Sequence, residues 1–349
     1  MASLDDAAPA DLRVALPGPL DLVASLERFR RWGDDLLERF DGTRFVATAA
    51  LPGGGRPVAF AARPAGDMEA PALDVRLEAA VAAGRATPTV AAGTAVGDHV
   101  RGLFVADPAD LADLAARDPI VAVLEARYRG LRPVLQRDPF TALVRSISAQ
   151  QVNLAWAATT RRRLAEAFGR IHCIDGERVI SLDPLRLAEV PAAELRALQF
   201  TTAKAEAIVA LARAVAAGGL GIEELAALPD EAVEARLVAL RGIGPWTAEW
   251  FLARTLGRPR VVAGDLGVRK AVGAAYLPGL GRLPTEAEVR AVTGHWGAAA
   301  GVVQQLFLHW LGDGLPRLAA RLGPRPAARD RPAARSRAPG RAAAAQEVR

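Results

Sequence analysis

The sequence predicts an α+β protein in which a small antiparallel sheet domain is followed by an all-α domain. Three short apolar runs, at 43–51, 56–62 and 72–79, are separated by the Pro/Gly-rich turns LPGGG and RPAGD. Runs of this kind between turn residues predict an antiparallel sheet. From about residue 108 the apolar residues recur at helical spacing instead. We therefore expect a mixed α/β domain over residues 1–105 and an all-α domain over 106–322.

The predicted all-α domain divides into short amphipathic helices that are bounded by turn or capping residues. These segments lie near 108–117, 119–129, 138–149, 153–168, 192–198, 202–217, 222–227, 230–240, 245–256, 265–275, 285–294 and 297–312. Residues 323–349 are rich in Ala, Pro and Arg and show no apolar period, which is typical of a disordered tail. The tail could add salt-sensitive affinity for polyanions, although a merely solvated extension is favoured.

Composition argues against several classes of protein. Apolar residues make up 51% of the chain, yet no apolar run approaches the roughly 18 residues of a membrane span. Because Cys173 is the only cysteine, neither an intramolecular disulfide nor a four-cysteine metal or iron–sulfur site can form. The histidines are scattered, so no metal or other cofactor is expected. The first residues lack a signal-peptide pattern, which predicts a cytoplasmic protein without a membrane partner.

The formal net charge of +5 suggests nucleic acid at first sight. Its location weakens that argument, because residues 323–349 hold seven arginines against Asp330 and Glu347. This segment accounts for the whole net charge, and the rest of the chain is near neutral. Any nucleic-acid interaction of the folded part must therefore depend on local features.

The stretch LRGIGPWTAEW, residues 240–250, predicts a tight turn between two helices. The first helix stops before Gly242, and Pro245 suits the first position of the next helix, where its missing N–H costs nothing. The two glycines around Ile243 leave backbone N–H groups bare, and such groups at a helix N-terminus bind phosphate. On the turn alone, a helical hairpin that only packs is the favoured interpretation.

The longer string LRGIGPWTA resembles the helix–hairpin–helix motif of the HhH-GPD superfamily of DNA glycosylases. In that motif a Leu-x-Gly-Ile/Val-Gly turn is followed after two residues by Thr-Ala. The resemblance implies an all-α helix–hairpin–helix glycosylase domain whose turn binds the DNA backbone. The residues implied in this contact are Arg241, Gly242, Ile243, Gly244 and Thr247. It also implies that the carbonyls from Gly242 to Gly244 offer a site to a monovalent cation.

Trp246 occupies a position that separates two chemistries in this superfamily. Members that also cut the strand, such as endonuclease III, have a lysine there as the nucleophile of a Schiff base. Without that amine, the resemblance implies a monofunctional enzyme. Trp246 and Trp250 share a helix face, and their spacing alone favours core packing. The DNA-3-methyladenine glycosylase II (AlkA-type) family has aromatic residues at both positions, which implies stacking on an extruded, electron-poor alkylated base.

Asp265 is the candidate catalytic residue. The local sequence favours it first as the N-cap of a helix that begins at Leu266. Gly264-Asp265 also resembles the superfamily's Gly/Pro-rich segment and aspartate at this distance from the hairpin. The resemblance implies a carboxylate that stabilises oxocarbenium-like charge on the sugar, and the two roles are compatible. Glu249, whose neighbours define a different face, is expected to be solvated.

The segment over 138–169 resembles the family's entry into the glycosylase domain, where a loop side chain wedges into the minor groove. The corresponding position is Gln151, which is less apolar than a leucine wedge, and a plain inter-helix loop is an equal alternative. Lys204 is expected to approach a phosphate. The run Arg161-Arg162-Arg163 is expected to be a solvated helix face.

Together these features predict a monofunctional DNA glycosylase that excises alkylated purines of the 3-methyladenine type from damaged double-stranded DNA after base flipping. We expect it to act as a monomer, without a cofactor, in the cytoplasm and in association with the nucleoid. Two alternatives stay open. One is a non-catalytic helix–hairpin–helix DNA-binding module in which Asp265 only caps a helix, and the other is an oxidised-base glycosylase with lyase activity.

Overall fold

The N-terminal part of the chain folds around an antiparallel sheet. The structure, a computed structural model, describes residues 11–51, 55–78, 81–82, 85–86, 90–105 and 108–315. The strands of the sheet are β1 (Asp11–Ala15), β2 (Arg39–Phe40), β3 (Phe45–Leu51), β4 (Gly55–Gly66) and β5 (Pro71–Leu77). They pair in the order β1-β5-β4-β3-β2, and every pairing is antiparallel. The sheet predicted from the sequence is thus confirmed, with β1 and β2 as additional edge strands.

A short ladder follows the main sheet, and some predicted segments lie outside the residues that the structure describes. A two-residue ladder joins β6 (Val81–Ala82) to β7 (Arg85–Ala86) after the main sheet. The predicted tail over 323–349 lies outside the described residues, as does the end of the predicted all-α domain after residue 315. Among the described residues, no helix is long and apolar enough to cross a membrane.

Three helices pack their apolar side chains against the sheet. They are α1 (Leu22–Leu26), α2 (Arg28–Arg31) and α3 (Val90–Arg101). Phe29 of α2 meets Phe45 with ring centroids 5.1 Å apart, and Phe45 meets Phe60 at 6.0 Å. Burying a phenyl side chain stabilises the fold by about 1.5–3 kcal/mol. This aromatic row fixes α2 on the sheet.

The rest of the described chain is mainly helical, as predicted. The helices are α4 (Pro108–Ala115), α5 (Pro119–Arg127), α6 (Pro139–Ala149), α7 (Leu154–Phe168), α8 (Pro184–Glu189), α9 (Ala192–Ala197), α10 (Thr202–Ala216), α11 (Ile222–Ala227), α12 (Asp230–Val238), α13 (Pro245–Arg254), α14 (Leu266–Tyr276), α15 (Glu286–Thr293) and α16 (Ala300–Gly312). A 3-10 helix, Gly294–Ala299, precedes α16, and the left-handed φ of 50° at Gly297 divides the helix predicted near 297–312. Helix α8 was not predicted.

The helical part also contains a hairpin that was not predicted, formed by β8 (Arg170–Ile174) and β9 (Glu177–Ser181). Its turn is Asp175-Gly176, and both residues have positive φ, as two-residue hairpin turns require. Val179 of the hairpin packs with Val46 and Ala59 of the N-terminal sheet. The hairpin therefore covers sheet residues that lie far away in sequence, and the domain boundary near residue 105 stays a prediction.

The helical part has two apolar cores, and two of its helices begin where these cores approach each other. α13 contributes Phe251 and Leu252 to a core shared with α6, α7, α10 and α12. α14 contributes Val268 and Val272 to a second core shared with α4, α5 and α16. Side chains from the start of α13 reach the residue that caps α14, Asp265.

Candidate active site

The turn between α12 and α13 has a conformation that requires glycine. Gly242 has a left-handed φ of +78°, and a Cβ there would lie 2.5 Å from the Cβ of Ala207. Gly244 is the N-cap of α13, and Pro245 is the first residue of that helix. A glycine cap provides no side-chain acceptor, so the first N–H groups of α13 are left for an external acceptor such as phosphate.

Gln150, the neighbour of the wedge candidate, braces this turn. Its Nε2 donates to the carbonyl oxygen of Gly242 at 3.0 Å and to the hydroxyl of Thr247 at 3.3 Å. Thr247 and Ile243 are only 1% and 4% exposed. In this structure these two side chains therefore fix the shape of the turn, and their contact with DNA remains a prediction.

Arg241 is the exposed side chain of the turn, and its guanidinium forms an ion pair with Glu206. An exposed pair of this kind contributes at most about 1 kcal/mol, so a phosphate can compete for the arginine. The monovalent cation expected at the carbonyls from Gly242 to Gly244 also stays a prediction. Within the described ranges, no group of three or more His, Cys, Asp or Glu residues could hold a metal ion.

Three side chains singled out from the sequence meet at the start of α14. Oδ1 of Asp265 accepts from the backbone N–H of Gly267 at 2.8 Å and from that of Val268 at 3.1 Å. The N-cap expectation is therefore confirmed. Oδ2 accepts from Nε1 of Trp246 and from Nε1 of Trp250, at 3.3 Å each. We call Trp246, Trp250 and Asp265 the indole–carboxylate site.

All three side chains of the indole–carboxylate site are half-buried. By contrast, Ala248 and Phe251 on another face of α13 are 0% and 2% exposed. The two indole rings are thus not sealed inside either core, and the packing role favoured by their spacing alone is not what the structure shows. One face of α13 supports the fold, and the other presents aromatic surface beside a carboxylate.

The backbone that carries Asp265 is held by α16. Oε1 of Gln304 accepts from the backbone N–H of Val262 at 2.7 Å, and the Val262 carbonyl accepts from the N–H of Asp265 at 3.0 Å. Gln304 is 1% exposed, so this brace is shielded from water. A buried hydrogen bond that loses its partner costs about 1–3 kcal/mol. The position of the carboxylate is therefore set by tertiary packing as well as by the local cap.

Arg254 belongs to the surroundings of this site and was missed by the sequence reasoning. Its Cζ lies 5.4 Å from the ring centroid of Trp250, and the residue is 7% exposed. Nη2 donates to Oε1 of Gln305 at 2.5 Å. Burial first, and then the charge of Arg28, lower the pKa of Arg254 to about 9, against the opposite effect of Asp265. The signal in the sequence was the helical spacing of the two tryptophans, which continues to residue 254.

Glu249 is not solvated, and that expectation is wrong. The residue is 5% exposed, and Nη2 of Arg290 on α15 lies 2.5 Å from its Oε1. The neighbours of Glu249 on its own helix give no sign of this contact. A partner 41 positions away in sequence supplies the opposite charge, and this could not be read from the helix face.

The loop between α6 and α7 carries the wedge candidate. Gln151 is exposed and has a φ of +55°, which is uncommon for a residue other than glycine. Leu154 and Trp156, in the first turn of α7, are 43% and 40% exposed. The loop thus presents an amide and two apolar side chains close to the braced hairpin turn. The role of Gln151 as a wedge stays a prediction.

Lys204 holds this loop in place. Its Nζ donates to the carbonyl of Gln150 at 2.7 Å and to that of Ser148 at 2.9 Å. Partial burial lowers the pKa of the lysine. The amine is therefore engaged with protein carbonyls in this structure, and its approach to a phosphate stays a prediction.

The expectation of a solvated face is wrong for Arg161. Its Nε donates to Oδ2 of Asp35 at 2.9 Å, and Asp35 is 4% exposed. Although burial raises the pKa of Asp35, Arg145 and Arg161 lower it overall to about 2. Arg161 therefore ties α7 to the N-terminal part of the chain.

The sequence of this chain is similar to those of known proteins. Residues 144–294 match the family described as HhH-GPD superfamily base excision DNA repair protein. The chain is 31% identical over 186 residues to a DNA-3-methyladenine glycosylase of Bacillus subtilis (strain 168), which covers 53% of this chain and 61% of that protein. The chain thus spans about three-fifths of the length of that curated relative.

Two solved structures are similar in fold. A 3-methyladenine DNA-glycosylase from Archaeoglobus fulgidus has a TM-score of 0.73 and 22% identity, and the match covers 86% of this chain and 98% of that one. An 8-oxoguanine glycosylase/lyase of Clostridium acetobutylicum, in complex with double-stranded DNA, has a TM-score of 0.63 and 16% identity, with 85% and 93% covered. At these identities the likeness concerns the fold alone.

Proposed function

We propose, on the premise that residues 144–294 match the HhH-GPD superfamily of base excision DNA repair proteins, that the protein is a monofunctional DNA glycosylase. It hydrolyses the N-glycosidic bond of alkylated purines of the 3-methyladenine type in damaged double-stranded DNA, after the nucleotide has been flipped out of the duplex. It works as a monomer on nucleoid DNA in the cytoplasm. Similarity to the Bacillus subtilis DNA-3-methyladenine glycosylase supports the substrate class.

The observation that carries this proposal is the indole–carboxylate site itself. Two half-buried indole rings lie beside one carboxylate, each at 3.3 Å through its N–H. A flipped base needs a flat apolar surface on which to stack, and its sugar needs a negative group nearby. A module that only grips DNA needs neither arrangement.

The carboxylate of Asp265 acts on the sugar. As the N-glycosidic bond breaks, its electron pair leaves with the base, and positive charge develops on C1′ and the ring oxygen. The negative charge of Asp265 stabilises that cation. A water oxygen then bonds to C1′ and releases one proton to the solvent, so the products are the free base and an abasic sugar. The four donors to the carboxylate hold it in orientation throughout.

The tryptophans act on the base. A purine that carries an extra alkyl group on a ring nitrogen is positively charged, and stacking on an indole face stabilises such a cation by about 0.5–2 kcal/mol. The same charge makes the base a fair leaving group. The site therefore needs no strong general acid next to Trp246 and Trp250.

The lysines of the chain support base release without strand cleavage. A lyase step through an imine needs an amine that attacks C1′. The chain has two lysines, Lys204 and Lys270. Lys204 donates to loop carbonyls, and Lys270 lies exposed on α14, whereas Trp246 occupies the position next to the carboxylate. An oxidised-base glycosylase with lyase activity is therefore the weaker alternative.

The decisive experiment scores free base and strand breaks separately. The full-length protein is incubated with duplexes that contain a methylated purine or 8-oxoguanine, and with an undamaged duplex. We expect release of the methylated purine without strand breaks before alkali treatment, and loss of this release in Asp265→Asn. Binding without release would instead identify a non-catalytic module, and breaks before alkali would identify a lyase.

A further inference from the structure

The two halves of the indole–carboxylate site belong to different cores of the helical part. Trp246 and Trp250 lie on α13, which packs in the first core through Phe251 and Leu252. Asp265 caps α14, which packs in the second core. The distance between the indole rings and the carboxylate therefore depends on the contacts that hold the two cores together near the site.

An ion pair joins α13 to α15 close to the tryptophans. Nη2 of Arg290 lies 2.5 Å from Oε1 of Glu249, the residue before Trp250. α15 packs in the second core through Val289, so this pair connects the two cores. An exposed ion pair would add little to such a connection. The Glu249 carboxylate is buried, however, and it would be left without a compensating charge if the helices moved apart.

The same guanidinium is linked to the backbone next to Asp265. Nη2 of Arg290 lies 2.6 Å from Oε1 of Glu286, the first residue of α15, and Nε donates to the same oxygen at 3.2 Å. Oε2 of Glu286 lies beside Gly264, because a Cβ on that glycine would be 3.3 Å from it. Gly264 directly precedes Asp265. Arg290 thus connects the helix that carries the indoles, through two carboxylates, with the segment that carries the candidate catalytic residue.

The hydrogen bonds of the site are sensitive to this connection. Each indole N–H meets Oδ2 of Asp265 at 3.3 Å. That distance is already beyond the usual range of about 2.7–3.2 Å for an N–H···O bond. A small further separation of the two cores would break both bonds, and a displacement of about 1 Å can cost about 10²-fold in rate.

We propose that Arg290 is a positioning residue of the reaction, which holds the indoles and the carboxylate of the site at their working distance by pairing with Glu249 and Glu286 at once. This inference rests on the proposed glycosylase function. Arg290 acts through the two helices and the backbone that it joins. The planar guanidinium suits this role, because it offers several N–H donors in a fixed geometry, whereas a lysine offers a single charged centre.

The test measures base release from a duplex with a methylated purine, with the full-length enzyme in excess over DNA. The maximal single-turnover rate constant does not depend on the fraction of enzyme that is folded, so a loss of stability alone leaves it unchanged. In Arg290→Met this constant should fall about tenfold. The enzyme concentration that gives half the maximal rate should stay within about twofold of the wild-type value. Arg290→Lys should recover part of the lost rate, because it restores the charge.

The matched control is Arg282→Met. Arg282 pairs with Glu288, another carboxylate of α15, at 2.7 Å. This variant removes an ion pair of the same helix and leaves the Glu249 contact in place, so its rate constant should equal that of the wild type. Glu249→Gln weakens the proposed link from the other side and should lower the rate constant as well. Combined with Arg290→Met, it should cost no more than Arg290→Met alone, because both changes break one connection.

The outcomes separate this inference from the proposed function. If Arg290→Met fails to fold, Glu249→Gln decides. An unchanged rate constant, independent losses in the double variant, or an equal loss in Arg282→Met overturns the inference while the glycosylase function stands. A change confined to the half-saturating enzyme concentration also overturns it. Absence of base release by the wild type would overturn the function and the inference together.

Discussion

Two aspartates of this molecule cap helices in the same way and differ in what lies beyond the cap. Oδ1 of Asp118 accepts from the first backbone N–H groups of α5 at 2.8 and 3.1 Å, and Oδ1 of Asp265 does the same for α14 at 2.8 and 3.1 Å. Oδ2 of Asp118 accepts from the Tyr276 hydroxyl at 2.5 Å and lies 2.7 Å from Nε2 of His295. Oδ2 of Asp265 accepts from the two indoles of the candidate site.

The two aspartates share the capping motif and differ in how accessible their carboxylates are to a substrate. Asp118 is 5% exposed and closed in by a tyrosine and a histidine, so no substrate reaches it. Asp265 is half-buried and lies beside two half-buried indole rings. An aspartate N-cap therefore predicts where a helix begins. Whether its carboxylate is structural or a candidate for catalysis depends on what surrounds the second carboxylate oxygen.

The largest expected effect is a difference in the rate of base release between variants of Asp265 and Asp118. Asp265→Asn preserves a good N-cap but removes the negative charge, so base release should fall by about 10²–10³-fold while the melting temperature changes little. Asp118→Asn should release the base at nearly the wild-type rate. Single-turnover assays with a methylated duplex measure both. Comparable losses of rate in the two variants would erase the distinction.

The second effect is a difference in the free energy of unfolding between the Asp118 and Asp265 variants. Asp118→Asn removes the charged acceptor of Tyr276 and His295 at a position that is 5% exposed, and we expect a loss of about 1–3 kcal/mol in the free energy of unfolding. Urea denaturation at neutral pH measures this loss. Asp265→Asn should lose less, because Asp265 is more exposed to water. A greater loss in the Asp265 variant would contradict this order.

A third effect tests the indole N–H groups separately from the rings. Trp250→Phe keeps an aromatic surface and removes the donor to Asp265, so kcat should fall about tenfold with little change in KM. Trp296→Phe is the matched control, because Trp296 Nε1 donates at 3.2 Å to the hydroxyl of Tyr276, the partner of Asp118. We call Asp118, Tyr276, His295 and Trp296 the Asp118 cluster. The Trp296→Phe variant should lose stability and keep its turnover. A rise in KM with kcat unchanged in Trp250→Phe would mean that its N–H serves binding and has no part in catalysis.

The smallest effect is a pH dependence of the Asp118 cluster. Although burial raises the pKa of Asp118, hydrogen bonds from Tyr276 and His295 lower it overall. A carboxyl whose folded pKa lies below its unfolded value of about 3.9 stabilises the fold above that pH, and the contribution is lost as pH falls through the folded pKa. The stability difference between wild type and Asp118→Asn should therefore shrink below about pH 4. A constant difference down to acid pH would show that the charge of Asp118 does not matter.

Much of the site was accessible from the sequence because its signals are local. Proline at the start of α13, glycine in the turn and aspartate before α14 act within a few residues of themselves, and the spacing of Trp246 and Trp250 places both on one helix face. The sheet strands β3 to β5 were equally local, since turn residues separate them. The order of a sheet part followed by a helical part comes from the same short-range periodicity.

Other features depend on which distant segments meet. Glu249 pairs with Arg290, and Arg161 pairs with Asp35. The β8–β9 hairpin packs on the N-terminal sheet, and each of these contacts joins residues more than 40 positions apart. The burial of Arg254 against Trp250 and the exposure of both indoles likewise follow from how the two helical cores approach. Short-range propensity carries no information about such partners, because burial and charge pairing depend on tertiary packing. Whether a helix face is buried in a core or lines a cleft is decided by the segments that pack beside it.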